Sequence, residues 1–330
     1  MDDHTLKNFD TLTDVEDLIS LIAPYYPNLK ISEYKIEEIE KALYDVFFKL
    51  IGKLIFISPL NLRLFLKDYL LKYEIMNIKQ IILGVILGMT NEEKTKNVNM
   101  LIEKYLENTE FIKKLIETPS LERIQFVMKS TKYNKAVREG ILYFNSNNEI
   151  FVLEAFLDQL YYLNLLQREH IYNDKERVMI SLFNSLTTEL YNVNIIYRGI
   201  INNIDKNLLS QFLVDHTLFL DNAKFGFLIS QETLEEFFTA LDNLLHRFVK
   251  LNYNISLKDF EHPIWELRRI YINYYFKEFK AKMDDIEYMT IYRAIELIIK
   301  KEREINMVII PKVVDLLHKK FNKLNDFVIK

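Results

Sequence analysis

The sequence predicts an all-α protein assembled from three similar helical units of about 114 residues. Three observations carry that expectation. Glycine occurs only six times in 330 residues, where average usage would give about twenty, so tight turns and hairpin chemistry are scarce. A polar motif returns at a fixed period: Glu74, Asn77 and Gly84 stand in one stretch, Glu189, Asn192 and Gly199 in a second, and Lys301-Glu302-Arg303-Glu304-Ile305-Asn306 in a worn third. Asn77 and Asn192 are 115 residues apart, and Asn192 and Asn306 are 114 apart. An aromatic pair, Phe47-Phe48, Tyr161-Tyr162 and Tyr274-Tyr275, precedes each asparagine and recurs after 114 and 113 residues. Two independent markers sharing one period point to an internal triplication with the third copy most diverged.

Apolar periodicity and capping signals place the elements in order. The segment Thr13-Asp14-Val15-Glu16 can cap a short helix that turns Val15, Leu18, Ile19 and Ile22 to one face, and Pro24 and Pro27 break it. From Ser32 a longer helix is expected, with Ile36, Ile39, Leu43, Val46, Leu50 and Leu54 at the spacing of a buried stripe. Ser58-Pro59 has the pattern of an N-cap followed by the first helical residue. The helix it starts carries the first motif and ends between Gly84 and Gly88. Asn91-Glu92-Glu93 opens the next, with carboxylates at the positive end of the dipole. Pro119 marks the first unit boundary. In the second unit Ile150, Leu153, Phe156, Leu157, Leu160 and Tyr161 form an apolar face, Asn173-Asp174 caps the motif helix, and Asp205 starts another. Ser58 and Asn173 each lie 19 residues before their asparagine. The third unit should hold helices over 231–251, from Pro263, and from Thr290 into the worn motif, with a kink or restart at Pro311. The expected units are 1–118, 119–229 and 230–330. No low-complexity linker separates them, which favours units packed together.

Composition narrows the function. Half of the residues are hydrophobic (49%) and 27% are charged, the balance of a folded globular chain. A net charge of −4 gives no electrostatic footprint for nucleic acid. With no cysteine there is no disulfide framework, cysteine-type zinc site or thiol nucleophile. The acidic start Met1-Asp2-Asp3-His4 lacks an apolar core, so no secretory signal is expected. The apolar run at 81–89 is nine residues long, whereas a membrane span needs about twenty.

Each Glu-x-x-Asn places its two side chains on one helix face. Asparagine is a mediocre mid-helix residue because its amide competes with the backbone, so its return needs a reason. The structural reading is that each asparagine satisfies buried groups where helices cross, braced by the glutamate; the alternative is a ligand site shared among the copies. In the third copy Asn306 keeps the period, but aligning Glu304 with Glu74 puts Met307 in the asparagine slot. The six histidines, at 4, 170, 216, 246, 262 and 318, form no pair at metal-ligand spacing. No dinucleotide fingerprint, phosphate loop or nucleophile elbow is present. Gly84 and Gly88 have the GxxxG form, read as a close helix contact, and Trp265 as a core or rim anchor. No catalytic, cofactor-binding or metal-binding residue is assigned, and the chain is read as non-enzymatic.

Leu66-Lys67-Asp68-Tyr69-Leu70-Leu71-Lys72-Tyr73-Glu74-Ile75-Met76-Asn77-Ile78-Lys79 resembles the signature of the C subunit of archaeal-type (A/V-type) rotary ATPases, the counterpart of the d subunit of the vacuolar enzyme. The stretches 153–162, 192–199 and 297–305 are similar to that family too. The family's Arg-Gly pair stands as Arg198-Gly199, becomes Leu83-Gly84 in the first copy, and is lost in the third. Its arginine- and tyrosine-bearing first helix is not evident before Phe9. The resemblance implies a funnel-like, pseudo-threefold helical rotor part without cofactor. Such a part sits between the central shaft subunits and the membrane ring, on the cytoplasmic face, and couples ATP chemistry to H+ or Na+ movement. The rival expectation is a general helical scaffold, with an all-α enzyme of a small apolar substrate as the third.

Overall fold

A computed structural model describes residues 1, 3–249, 256–280 and 286–328, and no strand occurs among them. In chain order the helices are α1 (Asp3–Asn8), α2 (Val15–Ile22), α3 (Ile36–Ile57), α4 (Leu60–Ile86), α5 (Asn91–Lys96), α6 (Met100–Leu106), α7 (Thr109–Ile116), α8 (Leu121–Met128) and α9 (Asn134–Asn147). They continue with α10 (Phe151–Arg168), α11 (Asp174–Ile201), α12 (Lys206–Phe212), α13 (Asn222–Ser230), α14 (Leu234–Val249), α15 (Pro263–Lys280), α16 (Ile286–Glu304) and α17 (Ile310–Val328). The chain divides into two compact units, and the division falls inside α4 and α16. One unit gathers Met1–Lys67, Asn99–Thr109 and Arg293–Lys330; its core includes Leu18, Ile22, Ile39, Leu43, Phe47, Phe48 and Val313. The other comprises Asp68–Val98 and Glu110–Tyr292, with a core around α9, α10, α11 and α15 that includes Val137, Leu157, Val193, Ile196 and Leu267.

Local capping chemistry sets most helix starts. Asp14 accepts from the Glu16 N–H at 2.7 Å at the head of α2. Thr90 with Glu93, and Asn173 with Glu176, close reciprocal capping boxes at α5 and α11. Asp205 accepts from the Leu208 N–H at 3.0 Å at α12. The two intact motif helices also end alike. At α4 the Met89 N–H reaches the Gly84 carbonyl (2.8 Å) and the Gly88 N–H the Val85 carbonyl (3.1 Å), with Gly88 at φ +67. At α11 Ile204 N–H reaches Gly199 (3.0 Å) and Asn203 N–H reaches Ile200 (3.2 Å), with Asn203 at φ +52. Both are the paired bonds of a Schellman stop. Gly84 and Gly199 then serve one purpose, since the chain folds back and a residue ten positions on presses against each: a Cβ at Gly84 would lie 2.7 Å from Lys94 Cγ, and one at Gly199 2.3 Å from Leu209 Cδ2. The close contact expected of Gly84 is thus within the chain, while Gly88 lies beyond the helix as its left-handed stop.

Several expected positions shift. The long helix begins at Ile36, not Ser32, because the Ser32 hydroxyl bonds Glu38 (3.3 Å) and the Lys35 carbonyl accepts the first helical bond, from Ile39. Its buried stripe is Ile39, Leu43, Phe47, Phe48, Ile51 and Ile55, rotated from the expected one because the aromatic pair claims the core and leaves Val46, Leu50 and Leu54 half-buried. Ser58 ends α3, donating to the Leu54 carbonyl at 3.0 Å, and it is the Pro59 carbonyl that accepts the first bond of α4. On α10, Phe156 and Leu160 are half-buried, with Val152, Ala155 and Leu165 in the core instead. The 231–251 helix starts at Leu234, after a cap by Thr233 (3.2 Å to Glu236 N–H), and residues 250 and 251 lie outside the described ones. The last long helix is already formed at Ile286, the first described residue after 280, and it runs on past Pro311 without a break; the winding widens instead to a π turn at Ile305–Ile309, where the Ile310 N–H bonds the Ile305 carbonyl. That turn leaves Pro311 in the first turn of α17, where a missing N–H is tolerated.

Gly199→Ala should destabilise the protein by about 1–3 kcal/mol through overpacking against Leu209, and Gly88→Ala by about 1 kcal/mol through left-handed strain. Denaturant titration of both checks this; an unchanged midpoint for Gly199→Ala would show that α12 does not press on α11.

Candidate functional site

The second motif copy faces a non-helical loop, residues 213–221, between α12 and α13. The loop is buried at Val214, Phe219 and Leu220, where its backbone groups must find partners, and α11 supplies them. Asn192, fully buried, donates through Nδ2 to the Val214 carbonyl (2.9 Å) and accepts the Val214 N–H at Oδ1 (3.0 Å). Glu189, also fully buried, accepts three consecutive N–H groups at Oε2, from Leu218 (2.9 Å), Phe219 (2.7 Å) and Leu220 (3.0 Å), and the Tyr271 hydroxyl at Oε1. Burial pushes the Glu189 carboxyl pKa up, and those four donors oppose it. Burial and then the neighbouring carboxylate raise the Tyr271 hydroxyl far above its ordinary value, so it stays a donor. The loop is held from its far side as well, where His216 lies 3.3 Å from Glu169 and 3.2 Å from Ser181.

The glutamate of the motif is buried in the two related stretches as well. Glu74 accepts from the Tyr133 hydroxyl, and Asn77 beside it is buried. Glu304 accepts from the Tyr26 hydroxyl (3.4 Å) and Lys301 (2.9 Å), and pairs with the Met1 ammonium. Burial resists ionisation of Glu304, but those two ammonium groups outweigh it and hold its pKa below the ordinary range. The glutamate therefore keeps its register at 74, 189 and 304, and in the third copy the asparagine shifts by one, Asn306 accepting from the Tyr44 hydroxyl at 2.8 Å. Each glutamate meets a tyrosine, yet the tyrosines stand 59, 82 and 278 positions away. The asparagine's capacity in the second copy is spent on the chain itself, which favours the structural reading over a ligand site. In this stretch the glutamate grips the loop directly, and its partners are the loop amides and Tyr271, not the asparagine that the sequence suggests it braces.

A second relation follows the period. The residue three before each aromatic pair is Tyr44, Asp158 or Tyr271. Tyr44 bonds Asn306, Asp158 is gripped by Lys79 (3.0 and 3.1 Å), and Tyr271 bonds Glu189. Arg198, of the Arg-Gly pair, binds Glu154 at 2.8 Å and lies over the Phe151 ring at 4.8 Å.

Sequence reasoning passed over the buried carboxyls of Glu103 and Asp68. Asp68 has Arg168 Nε 2.9 Å away and accepts from the Tyr172 hydroxyl at 3.4 Å. Burial pushes its carboxyl up to about 6, against the pull of Arg168 and Tyr172. Among the described residues no group of three or more His, Asp or Glu side chains could hold a metal ion. His170, His246, His262 and His318 are exposed singly. Trp265 is half-buried with the Arg268 guanidinium 5.3 Å from its ring, a rim position. No helix among the described residues is long and apolar enough to cross a membrane.

Comparison with known proteins finds that a family model described as ATP synthase (C/AC39) subunit matches residues 2–310. The A-type ATP synthase C subunit of Pyrococcus furiosus is 26% identical over 216 residues, covering 66% of this chain and 53% of that protein. The Methanosphaera stadtmanae protein of the same name is 24% identical over 213 residues, 64% and 54% of the two chains. That of Methanocaldococcus jannaschii is 27% identical over 175 residues, 53% and 43%. The chain spans about half the length of the first two relatives.

Asn192→Ala should cost about 2–3 kcal/mol, since it strands a buried N–H and carbonyl of Val214, and Glu189→Ala about 3 kcal/mol or more; thermal midpoints that do not move would remove the structural reading. Asp68 titrates higher folded than unfolded, so the folded state binds more protons between about pH 4 and 6. Its contribution to stability therefore falls as pH rises through that window. Denaturation of the wild type and Asp68→Asn from pH 4 to 7 should show their stability difference drifting against the wild type by up to about 3 kcal/mol. A pH-independent difference would contradict a raised Asp68.

Proposed function

The chain belongs to the ATP synthase (C/AC39) subunit family, a family of non-catalytic subunits, and from that membership we propose that it is the central-stalk rotor part of an A/V-type rotary ATPase. In that role it links the central shaft subunits to the membrane ring at the cytoplasmic face, and passes rotation between ATP chemistry and H+ or Na+ movement. The match over 2–310 carries this proposal. Catalysis and ion binding belong to other subunits, and this chain supplies stiff connection.

The proposal includes an internal triplication, with units 1–118, 119–229 and 230–330 in a funnel-like, pseudo-threefold arrangement. Two features support it. The paired Schellman stops and the ten-residue glycine contact recur at α4 and α11. The residue three before each aromatic pair bonds the motif helix of the preceding unit: Asp158 to Lys79, Tyr271 to Glu189, and Tyr44 to Asn306. The order runs first to second, second to third, and third back to first, as a cyclic arrangement of three copies requires.

Affinity isolation of the tagged chain from detergent-solubilised membranes should recover ATPase subunits. Membranes lacking the chain should hydrolyse ATP without driving ion movement. Recovery of no ATPase subunit would overturn the proposal in favour of an unrelated helical scaffold; a small apolar molecule retained through purification would favour an enzyme.

A further inference from the structure

The turn between α3 and α4 exposes three large apolar side chains: Phe56 is 86% exposed, Ile57 74% and Leu60 64%. Scattered exposed apolar residues need no explanation, but three at one helix–helix turn do. Its surroundings say what it faces. From Val46 to Lys67 the chain carries Lys49, Lys53, Arg63 and Lys67 and not one aspartate or glutamate, in a protein whose net charge is −4. Lys49, Lys53, Phe56 and Ile57 share one face of α3, at helical spacing, and Leu60, Arg63 and Lys67 share one face of α4. Both helices thus end in an apolar tip with a basic collar behind it.

We infer that this tip is a membrane-interface anchor, which seats Phe56, Ile57 and Leu60 at the headgroup–acyl boundary of an anionic leaflet while the collar binds lipid phosphates. At about 1.5 Å of rise per residue, Lys53 stands roughly 5 Å behind the tip and Lys49 roughly 11 Å. Interfacial elements bury their apolar face about 5–10 Å deep, so the collar falls at headgroup level, where lysine and arginine snorkel. Arg63 stays oriented by donating to the Ser58 carbonyl at 3.2 Å, across the turn itself. Lys67 also meets Glu107 at 2.8 Å, an exposed pair of small worth. The equivalent turn of the next unit, between α10 and α11, lacks this chemistry. Its Ile171 is 39% exposed, Tyr172 is buried, and Arg168, Glu169, Asp174 and Glu176 mix both signs around it. Of these two turns, only the one between α3 and α4 carries the apolar tip and basic collar.

The inference stands on this chemistry alone and goes beyond the rotor proposal. The test is sedimentation of the purified full-length chain with phosphatidylcholine vesicles, with and without phosphatidylglycerol. The chain should sediment with the anionic vesicles, and added salt should weaken this. The triple variant Phe56→Ser, Ile57→Ser, Leu60→Ser should lower partitioning about tenfold or more, and Lys49→Gln with Lys53→Gln by a similar factor. All five side chains are exposed, and an unchanged thermal midpoint verifies folding. A wild-type chain left in the supernatant at low salt, or a triple variant that binds like the wild type, overturns the inference. If the wild type ignores vesicles but the triple variant loses ATPase subunits on affinity isolation, the tip docks protein, and only the anchor is refuted. Vesicle binding without recovery of ATPase subunits refutes only the rotor proposal.

Discussion

The grip of Glu189 on Leu218, Phe219 and Leu220 is the interaction that the surrounding structure depends on. Three consecutive N–H groups converge on one buried oxygen, and the Tyr271 hydroxyl takes the other. An unpaired buried carboxylate would be strongly destabilising, and so would three unpaired amides. Together they satisfy one another through charge-assisted bonds. Asn192, one turn on, closes both backbone groups of Val214. With these backbone groups satisfied, the loop at 213–221 can send Val214, Phe219 and Leu220 into the core. Because each partner needs the other, the arrangement is close to all-or-none. Tyr271 extends it to α15, so the loop, α11 and α15 are held in one register.

How legible this was follows from distance along the chain. Caps read well because an N-cap and its donors lie within three residues: Asp14, Asn173 and Asp205 all cap as their sequence suggests. The motif's recurrence is visible as spacing, and its glutamate keeps the register through all three copies. Its partners are not, since a tyrosine 59, 82 or 278 residues away leaves no local trace. The buried stripe of α3 differs from the expected one for a related reason. Spacing alone fits two neighbouring faces, and the bulk of Phe47 and Phe48 decides between them. Proline misled twice, at Pro59 and at Pro311, because a missing N–H is tolerated both just before a helix and within its first turn, and spacing alone does not tell which applies. Asp68 gave no signal, since its burial depends on Arg168 and Tyr172 folding over it. The basic, acid-free stretch around Phe56 could have been read from the sequence; what the structure adds is that the apolar residues there point outward.

The distribution of polar contacts bears on what a connecting part must withstand. A helix interface built only from leucine and isoleucine is non-directional, and sliding by a turn exchanges one apolar contact for another. Buried polar pairs remove that freedom, since a displaced partner leaves an unsatisfied group behind. Here one such buried pair joins α15 to α11 at Tyr271–Glu189, and two half-buried pairs join α10 to α4 at Asp158–Lys79 and α3 to the π turn at Tyr44–Asn306. All three lie on the aromatic-pair helix one turn before the rings. In a rotor part, as proposed, torque acts across just such helix pairs, and resistance to shear would come from these few directional contacts more than from the larger apolar area around them. The π turn at Ile305–Ile309 fits the same logic. Asn306 lies within it, so the chain keeps its polar contact with Tyr44 of α3 while Pro311 passes into α17.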